Sequence, residues 1–289
     1  MKLLVTGGSG QVGEALRRLA PALGVTVSAP GRDALDLAKP ATIRLPDGID
    51  GVINAGAYTA VDKAESDGAL AVTVNAEAPG VLAAEAAKRG LPIVQLSTDY
   101  VFDGTKAEPY VETDFVNPMS VYGLAKEAGE RAVIAANPRH VVMRTSWVYA
   151  VHGNNFVKTM LRLGKERDLL KVVADQTGAP TLADDIARAA VVCLKGLRDG
   201  KPAGIYHYTA EGWTTWHGLA SRIWEVAGPR LGRAPKIEPI PTSGYPTPAK
   251  RPLNSRFDCA KIVATFGVVR RPWDAALDET LSRLLEEKP

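Results

Sequence analysis

Residues 3–20, LLVTGGSGQVGEALRRLA, decide how the chain folds. An apolar run of strand composition stops at Gly7, and glycines recur at Gly10 and Gly13 before helical periodicity sets in. Glycines at a strand-to-helix turn let the backbone bend tightly and approach a ligand, while the free N–H groups of the helix start attract phosphate. The stretch therefore predicts a phosphate-binding turn opening a βαβ unit. Its spacing is G-x-x-G-x-x-G where the usual dinucleotide fingerprint is G-x-G-x-x-G, so a glycine-rich turn without a ligand is the plainer alternative.

Working outward, short β-branched runs alternate with alanine-rich segments of helical period. KLLVTG, VTVSAP, GVINAG, PIVQLS and HVVMRTS read as buried strands. VGEALRRLAPAL, LAVTVNAEAPGVLAAEAAKRG and VYGLAKEAGERAVIAA read as the helices between them. The fold class expected is α/β: a Rossmann-type doubly wound parallel sheet with a smaller α/β substrate-binding lobe. Residues 1–150 form the dinucleotide-binding domain, with the alanine-rich helix at about 183–198 docking back on it. Residues 151–182 and 199–289 form the lobe, in which IEPIPTSGYPTPAKRP reads as an extended or loop stretch.

With 289 residues, 46% of them hydrophobic, the chain can bury a substantial core. Lys and Arg number 35 against 32 Asp and Glu, without a run of like charge, which gives no reason to propose nucleic acid or a membrane surface. Cys193 and Cys259 have neither redox nor metal spacing, so a reducing, cytoplasmic setting is expected. The apolar start ends after five residues, too short for a signal peptide, and no window reaches the roughly 18 apolar residues of a membrane span.

Two further segments belong to a cofactor site. The second strand leads into SAPGRDALDL, where Arg32 suits a ribose 2′-phosphate and favours NADPH, with NADH as the alternative if Asp33 or Asp36 holds a free 2′-hydroxyl. In NAGAYTAVDKAE, the small residues Ala55, Gly56 and Ala57 let a nucleoside approach the backbone. Asn75, on the helix that follows, reads as a capping or packing polar group.

In SVYGLAKEAGE, residues 120–130, Tyr122 and Lys126 stand one helical turn apart on one face. An ammonium there is expected to lower the tyrosine pKa and make it a usable proton donor. The pair follows VQLSTDYVFDG, whose strand ends in Ser97, Thr98 and Asp99 at the sheet edge where ligands bind.

A serine or threonine, a tyrosine and a lysine behind a glycine turn resemble the extended short-chain dehydrogenase/reductases. More narrowly, GQVG, AYTAVDKAE, STDYVFDG, VYGLAKEAGE, RTSWVY, GNNFVKTMLRL, DQTGAPT, TTWHGLA and YPTPAKRPLNSRFD run in the order found in the dTDP-4-dehydrorhamnose reductase family. The resemblance spans residues 10–258. It implies NAD(P)H-dependent reduction of the C4 ketone of dTDP-6-deoxy-L-lyxo-4-hexulose to dTDP-L-rhamnose. Tyr122 would be the proton donor, Lys126 would hold the nicotinamide ribose, and Thr98, rather than Ser97, would hydrogen-bond O4. The same resemblance implies cofactor contacts from Gly7, Gly10, Gln11, Val12, Gly13, Arg32, Asp36, Leu37, Ala55, Gly56, Ala57 and Thr59.

For the nucleotide-sugar substrate it implies Val61, Thr98, Asp99, Phe102, Tyr122, Trp147, Asn155, Arg251, Asn254 and Ser255. Arg251 could pair bidentately with a phosphate or form a surface ion pair, and Trp147 could flank the sugar or fill the core. Some family members are magnesium-dependent dimers with an acidic residue two positions after the loop glycines; here Glu14 follows Gly13 directly and Ala15 comes next. No metal site is therefore expected, and a homodimer is allowed without metal support. The regulatory subunit of methionine adenosyltransferase shares the resemblance as a non-catalytic alternative, against which the intact Thr98, Tyr122 and Lys126 argue. A reductase of another nucleotide-linked 4-keto-6-deoxy sugar is the second alternative.

Overall fold

The structure, a computed structural model, describes residues 1–286. Its first part runs β1 (Lys2–Thr6), α1 (Gln11–Leu19), β2 (Thr26–Ser28), β3 (Gly51–Asn54), the short α2 (Val61–Ala64) and α3 (Gly68–Val72). A π turn at Thr73–Glu77 then leads into α4 (Ala78–Lys88), followed by β4 (Ile93–Thr98), α5 (Val121–Ala136) and β5 (His140–Thr145). Alternate residues of the strands feed two different cores, as a period of two requires. Leu3, Val5, Val141 and Met143 pack with α1 on one face, whereas Leu4, Val52 and Val142 pack with α4 on the other.

The later elements are β6 (Val148–Tyr149), α6 (Phe156–Glu166), β7 (Leu169–Val173), β8 (Thr177–Gly178), β9 (Thr181–Leu182) and α7 (Ala183–Arg198). They continue through β10 (Gly204–His207), β11 (Thr214–Thr215), α8 (Trp216–Leu231), β12 (Lys236–Ile240), α9 (Ala260–Phe266) and α10 (Trp273–Glu286). Helix α7 lies beside α1, and its Ile186, Ala190 and Leu194 join the core on that face.

The central sheet has six strands in the order β10-β5-β4-β3-β1-β2, every pair parallel. The order reverses between β1 and β3, so the crevice beyond their carboxyl ends is where such a sheet binds ligands. Two segments differ from the sequence expectation. Gly204–His207, expected in the lobe, is the edge strand of this sheet, and Ile262 and Phe266 of α9 also pack into its core. Lys236–Ile240, at the start of the stretch expected to be extended or loop, is a strand that pairs in parallel with β7.

A second hydrophobic cluster unites Val157, Met160 and Leu161 of α6, Leu219, Ile223 and Trp224 of α8, and Leu277 and Leu281 of α10. Besides the short pairs β6–β9, β7–β12 and β8–β11, isolated bridges Tyr110–Phe257 and Thr177–Asn254 tie the C-terminal segment to the loop after β4 and to β8. No described helix is long and apolar enough to cross a membrane.

Candidate active site

The glycine turn presses against the loop after β3. Gly7 has φ +68°, and a Cβ there would stand 2.6 Å from the Gly56 backbone; at Gly13 it would stand 2.1 Å from the Gly7 carbonyl. Only glycine fits both places. Gly10 caps α1 without a side chain, which leaves first-turn N–H groups facing outward for an anion. Val12 is buried, while Gln11 accepts a hydrogen bond from Asn155 at 3.1 Å and so ties the turn to the start of α6.

The side wall is a chain of buried amides. Thr6 donates to Asn54, Asn54 to Gln95 at 2.6 Å, and the Gly56 N–H donates to Thr6 Oγ1 at 3.3 Å. Leu37 covers Gly56, Ala55 and Ala57 are half-buried, and Thr59 is exposed. Arg32 is exposed on its loop, and Asp36 accepts from Ala38 N–H at 2.9 Å. This bare helix start with small residues beside it fits a dinucleotide pyrophosphate.

Asn75 does more than cap. It sits in the π turn, 1% exposed, where its Oδ1 accepts from Tyr58 N–H at 2.9 Å and its Nδ2 donates to Tyr58 O at 3.0 Å. An extra residue in the helical turn aims this amide at the loop, a placement π turns often serve at functional sites.

Thr98 ends β4 and Tyr122 opens α5, whose N-cap Ser120 accepts from Gly123 N–H at 3.1 Å. The Tyr122 ring meets Tyr100 edge-on at 5.4 Å and is 8% exposed. Lys126, 4% exposed, donates through Nζ to the Leu96 carbonyl at 2.7 Å. Here the structure reverses the expected sign. Burial pushes the Tyr122 phenol up to about 12, the Thr98 hydroxyl pulling against it and the Asp99 charge adding to it. Lys126 is itself pulled down to about 8 by burial, with Glu130 opposing.

Glu130 is committed elsewhere. It receives Arg144 through Nε at 2.9 Å and Nη2 at 2.6 Å, and the Ser97 hydroxyl at 2.5 Å. Ser97 therefore faces this buried ion pair, and Thr98 is the hydroxyl left beside Tyr122. Asp99, 3% exposed, accepts from Thr98 at 3.0 Å and from Ser255 at 2.5 Å.

Several expected substrate contacts are engaged internally. Phe102, expected beside the sugar, is 1% exposed and stacked on Tyr110 at 4.1 Å, which makes it core. Asn254 gives both amide hydrogens to the Lys106 and Glu108 carbonyls and accepts from Arg256, so it fixes a loop and has no free donor. Ser255 is turned onto Asp99. Asn155 caps α6 by accepting from Lys158 N–H at 3.1 Å.

Arg251 forms a two-pronged pair with Asp62 of α2, Nη2–Oδ2 2.7 Å and Nη1–Oδ1 3.2 Å, and its guanidinium holds the Asp62 carboxyl below the usual range. Asp62, which the sequence did not single out, thus bridges the sheet side of the crevice to the C-terminal segment. Val61 packs beside Tyr122 and Tyr100. Trp147 is half-buried, adopts φ 49°, rare for a non-glycine, and stacks on Trp216 at 3.7 Å. Next to it the buried hydroxyls of Thr145 and Ser146 have no partner among the described residues, and Thr145 is in register with Thr98. Glu130 could have been found from sequence, four positions after Lys126 on the same face; Arg144 and Asp62 carry no such local signal.

Among the described residues no group of three His, Cys, Asp or Glu side chains could hold a metal ion. The family model described as the RmlD substrate binding domain matches residues 1–286. A dTDP-4-dehydrorhamnose reductase of Burkholderia thailandensis is 46% identical, covering 99% of this chain and 100% of its own length. Among solved structures, a dTDP-4-dehydrorhamnose reductase of Clostridium acetobutylicum is 39% identical with TM-score 0.89, covering 98% of this chain and 99% of the other. The Bacillus anthracis enzyme of that name, in complex with NADP, is 32% identical with TM-score 0.86 and covers 99% of both chains.

Proposed function

The chain belongs to the dTDP-4-dehydrorhamnose reductase family, and from that premise we propose how its own residues reduce the C4 ketone of dTDP-6-deoxy-L-lyxo-4-hexulose to dTDP-L-rhamnose. The observation that carries the reading is the meeting of Thr98, Tyr122 and Lys126 at the carboxyl end of β4, beside the glycine turn. When bound, the nicotinamide supplies the hydride. The start of α1 at Gln11, Val12 and Gly13 would hold the pyrophosphate, and Arg32 would favour NADPH over NADH.

Tyr122 gives its proton to O4. Because burial holds its phenol at about 12, the side chain is protonated throughout the working range. An alkoxide is a stronger base than a phenolate, so the transfer runs downhill once charge develops on O4. Thr98 steadies that oxygen, and Lys126, charged below about 8, steadies the phenolate that Tyr122 becomes. Arg251 exchanges Asp62 for a phosphate of the substrate, which offers the same two-oxygen geometry.

The test follows NADPH oxidation with enzymatically generated dTDP-6-deoxy-L-lyxo-4-hexulose, beside its epimeric precursor and beside NADH. Turnover with the L-lyxo sugar and NADPH is expected to lead. No oxidation of either cofactor with that sugar would refute the reading, and a lead for NADH would refute the role of Arg32.

A further inference from the structure

Asp99 is a buried acid beside the site for which this mechanism has no task. Its two oxygens each face a neutral hydroxyl, Thr98 at 3.0 Å and Ser255 at 2.5 Å, and among the described residues no Lys or Arg forms an ion pair with it. Ser255 is anchored in turn, its N–H donating to Thr177 O at 2.8 Å, so the acid is clamped between β4 and the C-terminal segment.

The valences of Thr98 decide what this clamp does. A threonine hydroxyl has one hydrogen and two lone pairs. Tyr100 N–H occupies one lone pair at 3.2 Å, and the hydrogen lies on Asp99. With Asp99 ionised, Thr98 has only a lone pair left for the site and cannot donate to an oxygen that is becoming negative. With a proton on the Asp99 oxygen that faces it, the acid donates to Thr98 and the threonine hydrogen turns outward.

We propose that Asp99 is a positioning residue that, carrying its proton, frees the Thr98 hydroxyl to donate to the substrate oxygen, while Ser255 holds the acid in place. This rests on the reductase reading above. A carboxyl sealed from water with two hydroxyl partners and no cation retains its proton more readily, and burial pushes Asp99 up to about 6 against the pull of Ser255 and Thr98. The titratable groups around it are Tyr100 on its own turn, Tyr122 and Lys126 on α5, and the mutually paired Asp62 and Arg251. Lys126 is turned to the Leu96 carbonyl, which leaves Asp99 without a compensating charge.

The experiment compares Asp99→Asn and Asp99→Ala with the wild type across pH. Wild-type kcat should fall about tenfold per pH unit once Asp99 ionises. Asp99→Asn, which keeps a donor toward Thr98 and cannot titrate, should stay within about threefold of the wild-type maximum and lose that limb. Asp99→Ala, which removes the acceptor that otherwise holds the Thr98 hydrogen, should lose that limb as well, with any loss in kcat equal at every pH and NADPH affinity unchanged. A wild-type limb in Asp99→Asn overturns the proposal. Infrared titration of the ligand-free protein reads the acid independently of substrate: a protonated-carboxyl band absent in Asp99→Asn and shifted in Thr98→Val supports it. A carboxylate at all pH values between about 5 and 8 overturns it even if the sugar assay fails for other reasons.

Discussion

Replacing Lys126 by methionine should make the protein more stable and less active, and the two effects separate with pH. The ammonium is 4% exposed, with the Leu96 carbonyl at 2.7 Å as its direct partner, and burial brings it from 10.5 to about 8. At 1.36 kcal/mol per pH unit, keeping that charge costs about 3 kcal/mol near neutrality. Methionine matches the length of the side chain and carries no charge, at the loss of one hydrogen bond worth about 1 kcal/mol. The variant should therefore gain about 2 kcal/mol, or about 3 °C in Tm for a chain of this size. The folded value lies below the unfolded one, so between about pH 8 and 10.5 the unfolded chain binds more protons and wild-type stability rises with pH. Lys126→Met has no such rise, and the gap should close across that window. Urea melts of both proteins at about pH 7 and about pH 10, without cofactor, measure it. A variant less stable than wild type near neutrality, or a gap indifferent to pH, would refute the assignment of a buried, costly ammonium.

Other consequences are as direct. Tyr122→Phe should bind NADPH nearly as wild type and lose about 10²- to 10⁴-fold in kcat, read by steady-state kinetics beside cofactor titration. Glu130→Ala leaves Arg144, 2% exposed, without its carboxylate and should cost about 3–5 kcal/mol in urea unfolding, much of it recovered when Arg144→Met is added. Asp62→Asn frees Arg251 and should lower KM for the nucleotide sugar, whereas Arg251→Met should raise it about tenfold or more at unchanged NADPH affinity. Equal KM values in those two variants would show that the guanidinium does not bind the substrate.

The βα turn, the buried strands and the one-turn spacing of Tyr122 and Lys126 were all legible, because each follows from backbone geometry that few residue types satisfy. Strand β10 was not: four residues, GIYH, are too few to display a period. The π turn was hidden for a related reason, since one added residue changes where Asn75 points without changing the composition of the helix. Spacing placed the ammonium near the phenol but could not say that Leu96 would claim it, nor that burial would outweigh charge. Long-range partners such as Asp62 and Arg251, 189 positions apart, leave no trace in either local stretch. Phe102 and Asn254 show what a motif leaves out: it records that residues occur together, not that these two are engaged in the loop's own packing.

The edge position of Gly204–His207 bears on how the protein is made. A ribosome that has released the first 150 residues has supplied five strands of the six, with the β5 edge uncovered and the α1 face still lacking α7 and α9. At about 5–20 residues per second, the missing 116 residues up to Phe266 take roughly 6–23 s to arrive. For that interval a strand of His, Val, Val, Met, Arg and Thr presents open backbone groups, the kind of edge that pairs with other chains. A fragment ending near residue 150 is therefore expected to give less soluble protein than the full chain, a consequence of the same topology that makes the crevice.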